Sequence, residues 1–277
     1  MVRGMYTSAA GMVAQHRSID VIANNLANVN TTGFKRDILL FKSFPEMVLS
    51  RLNDNGVTRI PIGSYDVGPQ IGKLGTGVEV TRSITRFETD HADHIVPFVN
   101  TGNKYDIALH GQGFIAVETP EGERYTRDGG FVVDNEGFLV TRTGNKVMGE
   151  GGYIQIGTND VRIDDLGNVL IKRQNAVDWE MVDRIKIVNF NDIREIKKVG
   201  GNLYRATEDS GPAQIIEVQS GNRPKVIWQF LEGSNVNPVT EMVKLIEVQR
   251  TYEANAKMIQ QHDTLLGRAV NDIARLG

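Results

Sequence analysis

Two histidines and two aspartates lie within five residues, in the segment Asp90-His91-Ala92-Asp93-His94. Imidazole nitrogens and carboxylate oxygens are both zinc ligands, so this spacing could hold a metal ion. The segment is also polar and stands shortly before Pro97, which is typical of a solvated loop. We favour the loop and predict no metal site.

Gly111 and Gly113 follow an apolar run, as glycines do in the phosphate-binding turn of dinucleotide-binding proteins. That fingerprint needs a third glycine at position 116, where this chain has Ala116. It also needs a helix after the turn, where the pattern here predicts more strand. A bulge or bend within a strand explains both glycines. We therefore predict no nucleotide cofactor and no other cofactor.

Other residues that commonly carry catalysis are missing from the sequence or are explained by turns. The chain has no cysteine, which excludes disulfides, thiolate zinc sites and a cysteine nucleophile. No G-x-S-x-G, Walker-type or H-E-x-x-H pattern occurs. Asp164, Asp165 and Gly167 fall short of the spacing of a calcium loop and predict a hairpin turn instead. We predict no catalytic residue and no enzymatic activity.

The overall charge and hydropathy also exclude classes of partner. The net charge is -3 and the pI about 6.0, whereas a nucleic-acid binder usually carries a basic patch or stripe. No window approaches 18 uncharged apolar residues, so we predict no membrane-spanning segment. The N-terminal Met1-Val2-Arg3-Gly4 lacks the apolar core of a secretory signal. We expect export, if any, to use a dedicated machine without a cleaved signal peptide.

A seven-residue rhythm at the N-terminus predicts a long helix with one apolar seam. The positions alternate by three and four residues, as in a coiled coil: Val2, Met5, Ala9, Met12, His16, Ile19, Ala23 and Leu26. Asn24, Asn25, Asn28 and Asn30 then precede Gly33. Short amides and glycine end a helix and turn the chain, because they satisfy the last carbonyls and tolerate left-handed backbone.

The C-terminus repeats the rhythm over a longer segment. Asn237 and Pro238 predict a helix start, with an amide cap followed by proline at the first position. The seam there comprises Met242, Leu245, Gln249, Tyr252, Ala256, Ile259, Asp263, Leu266, Val270 and Ile273. Neither terminal helix can bury its seam alone, so we expect them to pack on each other. Further apolar residues off the seams indicate contacts with neighbouring subunits.

The middle of the chain is rich in glycine and predicts strands. Short apolar runs separated by turn residues extend from about residue 76. Residues 133–140 and 163–170 echo each other, each with an aspartate at the start and a glycine in the turn. We predict an α+β fold: long N- and C-terminal helices forming a coiled-coil layer (1–35 plus 236–277), a linker with a short helix in 41–52 (36–75), and a central all-β domain (76–235).

Three segments together resemble the bacterial flagellar axial proteins, the rod and hook subunits. They begin MYTSAAGM (5–36), TGNKYDIA (101–152) and LEGSNVNP (231–266), and they cover well over a third of the chain. The segment HADHIVPFVN (91–100) and the pair Phe114-Ile115 depart from the family pattern. Because a hook protein is usually longer, the resemblance favours a rod subunit. Residues 41–52 look more like the proximal-rod F-type than the distal-rod G-type, and a hook-like protein is a further alternative.

The resemblance implies a structural subunit of the flagellar basal body, which crosses the cell envelope, assembling through its terminal helices to carry motor torque to the hook. It implies as partners copies of the chain, other rod and hook subunits, and the flagellar export apparatus. The predicted assembly residues are Met5, Ala9, Met12, His16, Ile19, Ala23, Leu26, Asn28, Met242, Leu245, Tyr252, Ala256, Ile259, Leu266 and Val270. The competing classes are a peptidoglycan-active enzyme, which would need paired carboxylates in a cleft, and a cell-envelope binding module with a helical stalk.

Overall fold

The computed structural model describes residues 2–50, 58–60, 63–65, 70–75, 77–87, 90–91, 94–95, 97–173, 178–217 and 223–275. The chain divides into two compact units. The helix unit comprises Met1–Ala23, Leu39–Ser83 and Met242–Gly277, and the β unit comprises Asn24–Ile38 and Ile84–Glu241. This division differs from the three predicted segments, because the predicted linker belongs mostly to the helix unit. The mixed fold, with a helix at each end and strands between, is as predicted.

Two long helices are formed where the seven-residue rhythms predict them. Helix α1 spans Val2–Ala27 and helix α2 spans Pro238–Arg275. The predicted cap is confirmed, since the Asn237 side-chain oxygen accepts hydrogen bonds from the backbone N–H groups of Val239 and Thr240 at 3.0 and 3.2 Å. At the end of α1, the Asn28 side chain donates to the Asn24 carbonyl at 2.9 Å. Side-chain amides thus satisfy backbone groups at the C-terminal end of α1 and at the N-terminal end of α2.

The segment after α1 forms strands rather than the predicted short helix. Strand β1 (Asp37–Ser43) pairs with β6 (Val78–Thr85), and β2 (Met47–Ser50) pairs antiparallel with β5 (Gln70–Leu74). The helix prediction for 41–52 is therefore wrong in its described part. Non-local pairing supplies the backbone with partners, and such pairing overrides weak local propensity. The smaller strands here are β3 (Thr58–Ile60) and β4 (Gly63–Tyr65), while β7 (Asp90–His91) and β8 (His94–Ile95) belong to the β unit.

The β unit also contains the remaining strands. In chain order they are β9 (Phe98–Asn100), β10 (Ile107–His110), β11 (Phe114–Thr119), β12 (Gly122–Thr126), β13 (Phe131–Val133), β14 (Leu139–Thr141), β15 (Lys146–Val147), β16 (Asp160–Ile163), β17 (Asn168–Lys172), β18 (Glu180–Arg184), β19 (Ile187–Asn189), β20 (Lys197–Gly200), β21 (Leu203–Arg205), β22 (Gln214–Ile215), β23 (Lys225–Trp228) and β24 (Phe230–Glu232). The largest sheet has the order β13-β14-β15-β11-β12-β21-β20, and β19 joins it through β11.

The two similar segments, 133–140 and 163–170, form the same type of turn. Asp134 accepts hydrogen bonds from the backbone N–H groups of residues 136 and 138, and Asp164 accepts from those of residues 166 and 168. Gly137 and Gly167 occupy the left-handed positions, with φ of 84° and 82°. The aspartate replaces a backbone acceptor and the glycine takes the conformation that a side chain disfavours. Each echo therefore connects two antiparallel strands.

The core of the β unit lies on both sides of β11. One cluster packs aliphatic residues such as Ile115, Val117 and Ile187, all fully buried. The other is aromatic, with Phe114 and Tyr204 as its largest fully buried rings. Their ring centroids are 5.6 Å apart in an edge-to-face arrangement, the geometry that aromatic quadrupoles favour. This core gives the β unit a rigid centre.

Candidate assembly surfaces on the terminal helices and their root

The two terminal helices run antiparallel within the helix unit. A Cβ built on Gly4 would lie 2.8 Å from Nε2 of His262, and one built on Gly11 would lie 3.0 Å from Nδ2 of Asn255. From Gly4 to Gly11 the chain advances seven residues along α1, while the contacted residue on α2 moves back by seven, from His262 to Asn255. The two helices are therefore antiparallel. The predicted packing of the helices on each other occurs at these glycines, where a Cβ would force the ends of the His262 and Asn255 side chains to move.

Small residues form the most covered row of α1. The row is Gly4, Ser8, Gly11, Ala14, Ser18, Ile22 and Asn25, and its last four members are buried. Ser18 donates its hydroxyl hydrogen to the Ala14 carbonyl at 3.1 Å. Small side chains let two helix backbones approach closely, so they face inward in place of larger apolar ones.

The predicted assembly residues lie beside this row rather than on it. On α1, Met5, Met12, Ile19, Leu26 and the following Asn28 are half-buried, while Ala9, His16 and Ala23 are exposed. On α2, Leu245, Tyr252, Ala256, Ile259 and Leu266 are half-buried, while Met242 and Val270 are exposed. The His16 side chain contacts the Asp20 carboxylate at 3.3 Å on the surface. Their role in assembly stays a prediction.

Large apolar side chains project from both helices into solvent. Nine of them have exposed fractions between 45% and 71%: Tyr6, Val13, Val239, Met242, Val243, Ile246, Met258, Leu265 and Val270. We call these the outer apolar residues. Single exposed apolar residues are ordinary on a protein surface, but this many on two long helices is typical of a surface that another protein covers.

The asparagine-rich turn after α1 belongs to the β unit and is anchored there by side-chain amides. Asn25 donates to the Asp37 carbonyl and accepts from the Asp37 N–H, both at 2.9 Å, and it donates to the Glu241 carboxylate at 3.4 Å. Asn235, just before α2, accepts from the Arg36 N–H at 2.7 Å and donates to the Arg86 carbonyl at 2.8 Å. These two buried amides fix the end of α1 and the start of α2 to the same part of the β unit.

Three buried charged residues lie under this turn. Lys35 contacts Glu232 at 2.5 Å and Arg127 contacts the other oxygen of Glu232 at 3.4 Å. The side chains of Lys35 and Glu232 are fully buried and that of Arg127 is 2% exposed. Arg127 also donates to the carbonyls of Leu109 and Gly111, at 3.4 and 2.7 Å. We call Lys35, Arg127 and Glu232 the root triad.

The root triad places two cations against one carboxylate away from solvent. Burial lowers the pKa of Lys35 below its usual 10.5; the negative charge of Glu232 opposes this shift and the positive charge of Arg127 adds to it. Buried charges are tolerated only when paired and hydrogen-bonded. Glu232 is also the residue whose backbone carbonyl accepts from the Gly33 N–H at 2.8 Å. One residue therefore holds the turn through both its backbone and its side chain.

Replacement of Gly33 by alanine is expected to destabilise the β unit. Gly33 has φ of 68°, and a Cβ there would lie 2.5 Å from the Asp128 backbone nitrogen. We expect a loss of about 3 kcal/mol in the free energy of unfolding, from left-handed strain plus the backbone clash. Urea denaturation followed by tryptophan fluorescence measures it, since Trp179 and Trp228 both lie in the β unit.

Gly144→Ala is the matched control for this substitution. Gly144 has φ of 86°, but a Cβ built there would meet no described atom within 4 Å. Gly144→Ala should therefore lower the free energy of unfolding by about 1–2 kcal/mol, which is the cost of placing an alanine in the left-handed conformation. Equal losses at the two positions would contradict the close contact assigned to Gly33.

Known proteins match this chain along its full length. Residues 5–35 match the model of the flagella basal body rod protein, residues 108–171 that of the flagellar hook protein FlgE/F/G D1 domain, and residues 229–272 that of the flagellar basal body rod FlgEFG protein C-terminal. The flagellar basal-body rod protein FlgF of Caulobacter vibrioides is 33% identical, with all of both chains covered. FlgG of Borreliella burgdorferi is 34% identical, with 98% of each chain covered, and FlgG of Bacillus subtilis is 32% identical, with 98% and 99% covered.

This chain belongs to the flagellar basal-body rod protein family. Proteins of the family are structural components of the basal body and not enzymes, and the family implies assembly with other rod and hook subunits. The three matched segments contain α1 with its turn, much of the β unit, and α2. The family resemblance of the sequence is thereby confirmed.

Within the described residues, two kinds of feature are absent: a membrane-spanning helix and a cluster of metal ligands. No helix within them is both long and apolar enough to cross a bilayer. Among the same residues, no group of three or more metal-ligating side chains comes together. The side chains of the His91 and His94 segment lie outside the described residues.

The functional residues that the sequence patterns missed are those that anchor the turn after α1. Lys35, Arg127, Glu232 and Asn235 are far apart along the chain, and nothing in their spacing links them. The signal available was local: Lys35 and Glu232 each stand within two residues of a glycine, Gly33 and Gly233. Such neighbours indicate tight packing of the backbone but do not say which charges meet.

Proposed function

We propose that this chain is a structural subunit of the flagellar rod, the shaft that crosses the cell envelope and carries motor torque to the hook. It self-assembles through its terminal helices. The observation that carries the proposal is the set of outer apolar residues on α1 and α2, which the chain itself leaves in water. The predicted assembly residues beside the small-residue row belong to the same contact surface, within the predicted coiled-coil layer.

Burial of the outer apolar residues supplies the driving force for assembly. A large apolar side chain contributes about 1.5–3 kcal/mol when it is fully removed from water. The nine residues are about half exposed, so covering them supplies roughly half of that amount each, or several kcal/mol per subunit in total. Contacts between different surfaces of successive subunits give an open helical polymer rather than a closed ring.

The end of α1 and the start of α2 are held within the β unit by buried polar contacts. The turn after α1 and the segment before α2 are joined to the same part of the β unit by Asn25, Asn235 and the root triad. A buried, hydrogen-bonded polar network has few alternative arrangements. Force on the end of α1 and the start of α2 therefore reaches the β unit through these bonds.

The subunit reaches its place through the flagellar export apparatus. We favour the F-type proximal-rod subunit, supported by the full coverage of both chains in the FlgF alignment. The G-type distal-rod subunit is the second candidate, supported by FlgG proteins of 34% and 33% identity. The two types differ in their position along the shaft.

Electron microscopy of basal bodies from a strain lacking this chain tests the function and the type together. We expect non-motile cells in which the shaft stops early for an F-type subunit and late for a G-type subunit. Re-expression of the chain should restore shaft length and swimming. A shaft of normal length in the deletion strain would contradict the proposal.

A further inference from the structure

The asparagines of the turn line a cavity of about 550 Å³ in the β unit. Its walls come from the turn after α1, from Asp128 and Arg142, and from the β20–β21 turn. The turn contributes Asn24, Asn28, Asn30, Thr31, Thr32 and Phe34, and the β20–β21 side contributes Lys198, Gly200, Gly201 and Asn202. We call this space the asparagine groove.

Some polar groups of the groove already have partners in the chain. Thr32 donates to Asp128 at 2.8 Å, and Asn202 donates to the Thr32 carbonyl at 2.8 Å. Lys198 donates to the Lys35 carbonyl and contacts Asp37 at 3.2 Å. These bonds fix the walls of the groove, so their groups have little capacity left for a ligand.

Other polar groups of the groove keep their hydrogen-bonding capacity within the described part of the chain. The side-chain amides of Asn24 and Asn30 make no hydrogen bond there, and the guanidinium of Arg142 makes no ion pair there within 4 Å, although its positive charge opposes the rise that burial causes in the pKa of Asp128 on the groove wall. All three residues are exposed. The groove therefore offers two amides, each both donor and acceptor, and one planar cation.

This chemistry fits a peptide that carries a carboxylate. Amide side chains match the N–H and C=O groups of a main chain, and guanidinium binds a carboxylate through two parallel hydrogen bonds. A glycan would need an open aromatic face, but the Phe34 ring is covered by the Lys198 ammonium at 3.8 Å from its centroid. The groove thus favours a protein segment with exposed acidic residues.

The same chain carries such a segment, in the turn that contains Glu208 and Asp209. Both residues are exposed and neither makes an ion pair with a described residue. The turn is anchored by the fully buried Ser210, whose hydroxyl accepts a hydrogen bond from the Thr207 N–H at 2.9 Å. Thr207 in turn donates to the Glu195 carbonyl at 2.7 Å. The two carboxylates are therefore presented outward on a rigid base.

We propose that the asparagine groove of one subunit binds the Glu208–Asp209 turn of a neighbouring copy of this chain. This inference rests on the proposed function, because it adds a contact within the rod. Groove and turn are different surfaces, so the contact is heterologous and extends the polymer without closing it. It also gives the asparagine-rich turn a second role besides ending α1.

Charge reversal with rescue tests the pairing of the groove with the turn. Arg142→Glu alone and Asp209→Arg alone should each slow swimming about threefold or more, and the double variant should recover to within about twofold of wild type. Asp178→Arg, at another exposed aspartate of the β unit, is the matched control and should leave swimming unchanged. Absence of rescue in the double variant would overturn the proposal.

Disulfide trapping tests the geometry directly, because the natural chain has no cysteine. Asn30→Cys combined with Asp209→Cys should give a ladder of cross-linked multimers in oxidised basal bodies, and each single variant should not. Asn30→Cys with Asp178→Cys should also give none. Wild-type chain present in basal bodies but no ladder from the first pair refutes the groove contact only. A chain missing from basal bodies refutes the proposed function itself.

Discussion

Replacement of Glu232 by alanine is expected to unfold the β unit under conditions in which the natural chain is stable. The substitution leaves Lys35 and Arg127 as two buried cations without a counter-charge. Removing one partner of a buried ion pair costs about 3–5 kcal/mol, because the remaining charge keeps its desolvation cost. That is a large part of the stability of an ordinary domain. Urea denaturation followed by tryptophan fluorescence measures the loss.

Two variants separate the charge effect from loss of packing. Glu232→Gln keeps the size and one acceptor oxygen but not the charge, so we expect it to retain part of the stability. Glu121→Gln removes a carboxylate that pairs with Arg124 but is 83% exposed, and it should change the free energy of unfolding by less than about 0.5 kcal/mol. Equal effects of Glu232→Ala and Glu121→Gln would contradict the structural role of the root triad.

Ile246→Asp is expected to abolish swimming while leaving the isolated subunit folded. Ile246 is one of the outer apolar residues and is half exposed, so the change should alter the stability of the monomer by about 1 kcal/mol or less. In the proposed polymer a neighbouring subunit covers this position, and an unpaired carboxylate removed from water costs several kcal/mol. Because each subunit repeats the contact, the penalty recurs along the shaft. Swimming-plate expansion and circular dichroism of the purified chain give the two readouts.

Gln261→Asp is the control for the effect of aspartate on the helix itself. Gln261 is exposed on α2 and is not one of the outer apolar residues, so it introduces the same side chain without removing apolar surface. We expect swimming close to that of the wild type. A strain that swims normally with Ile246→Asp would contradict the assembly surface, and loss of swimming with both variants would point to helix destabilisation instead.

The sequence was informative where local rules decide the structure. The amide cap at Asn237, proline at the first position of α2 and the paired aspartate–glycine turns each depend on a few adjacent residues. Their spacing therefore predicts the structure without knowledge of the rest of the fold. The long helices were predicted for the same reason, since uninterrupted periodicity extends over many turns.

Three features could not be found in this way, each for a physical reason. Strand β2 lies where the sequence predicts a helix, because it pairs with β5, about twenty-five residues further along the chain. The inward row of α1 has small residues because the side chains of His262 and Asn255 lie against Gly4 and Gly11, whereas a heptad pattern counts large apolar side chains as inward. The root triad joins residues from three distant segments, and only the fold brings them together.

Methionine oxidation of free subunit and of assembled basal bodies tests the central claim most directly. Met242 and Met258 are outer apolar residues that are about half exposed in the chain, so dilute peroxide should convert both to the sulfoxide in purified subunit. Met181 of the β unit, also about half exposed, reports reagent access in the same sample. We predict that assembly slows oxidation of Met242 and Met258 at least about tenfold, because neighbouring subunits cover the helices. Oxidation of both at the same rate in basal bodies as in free subunit would contradict the account.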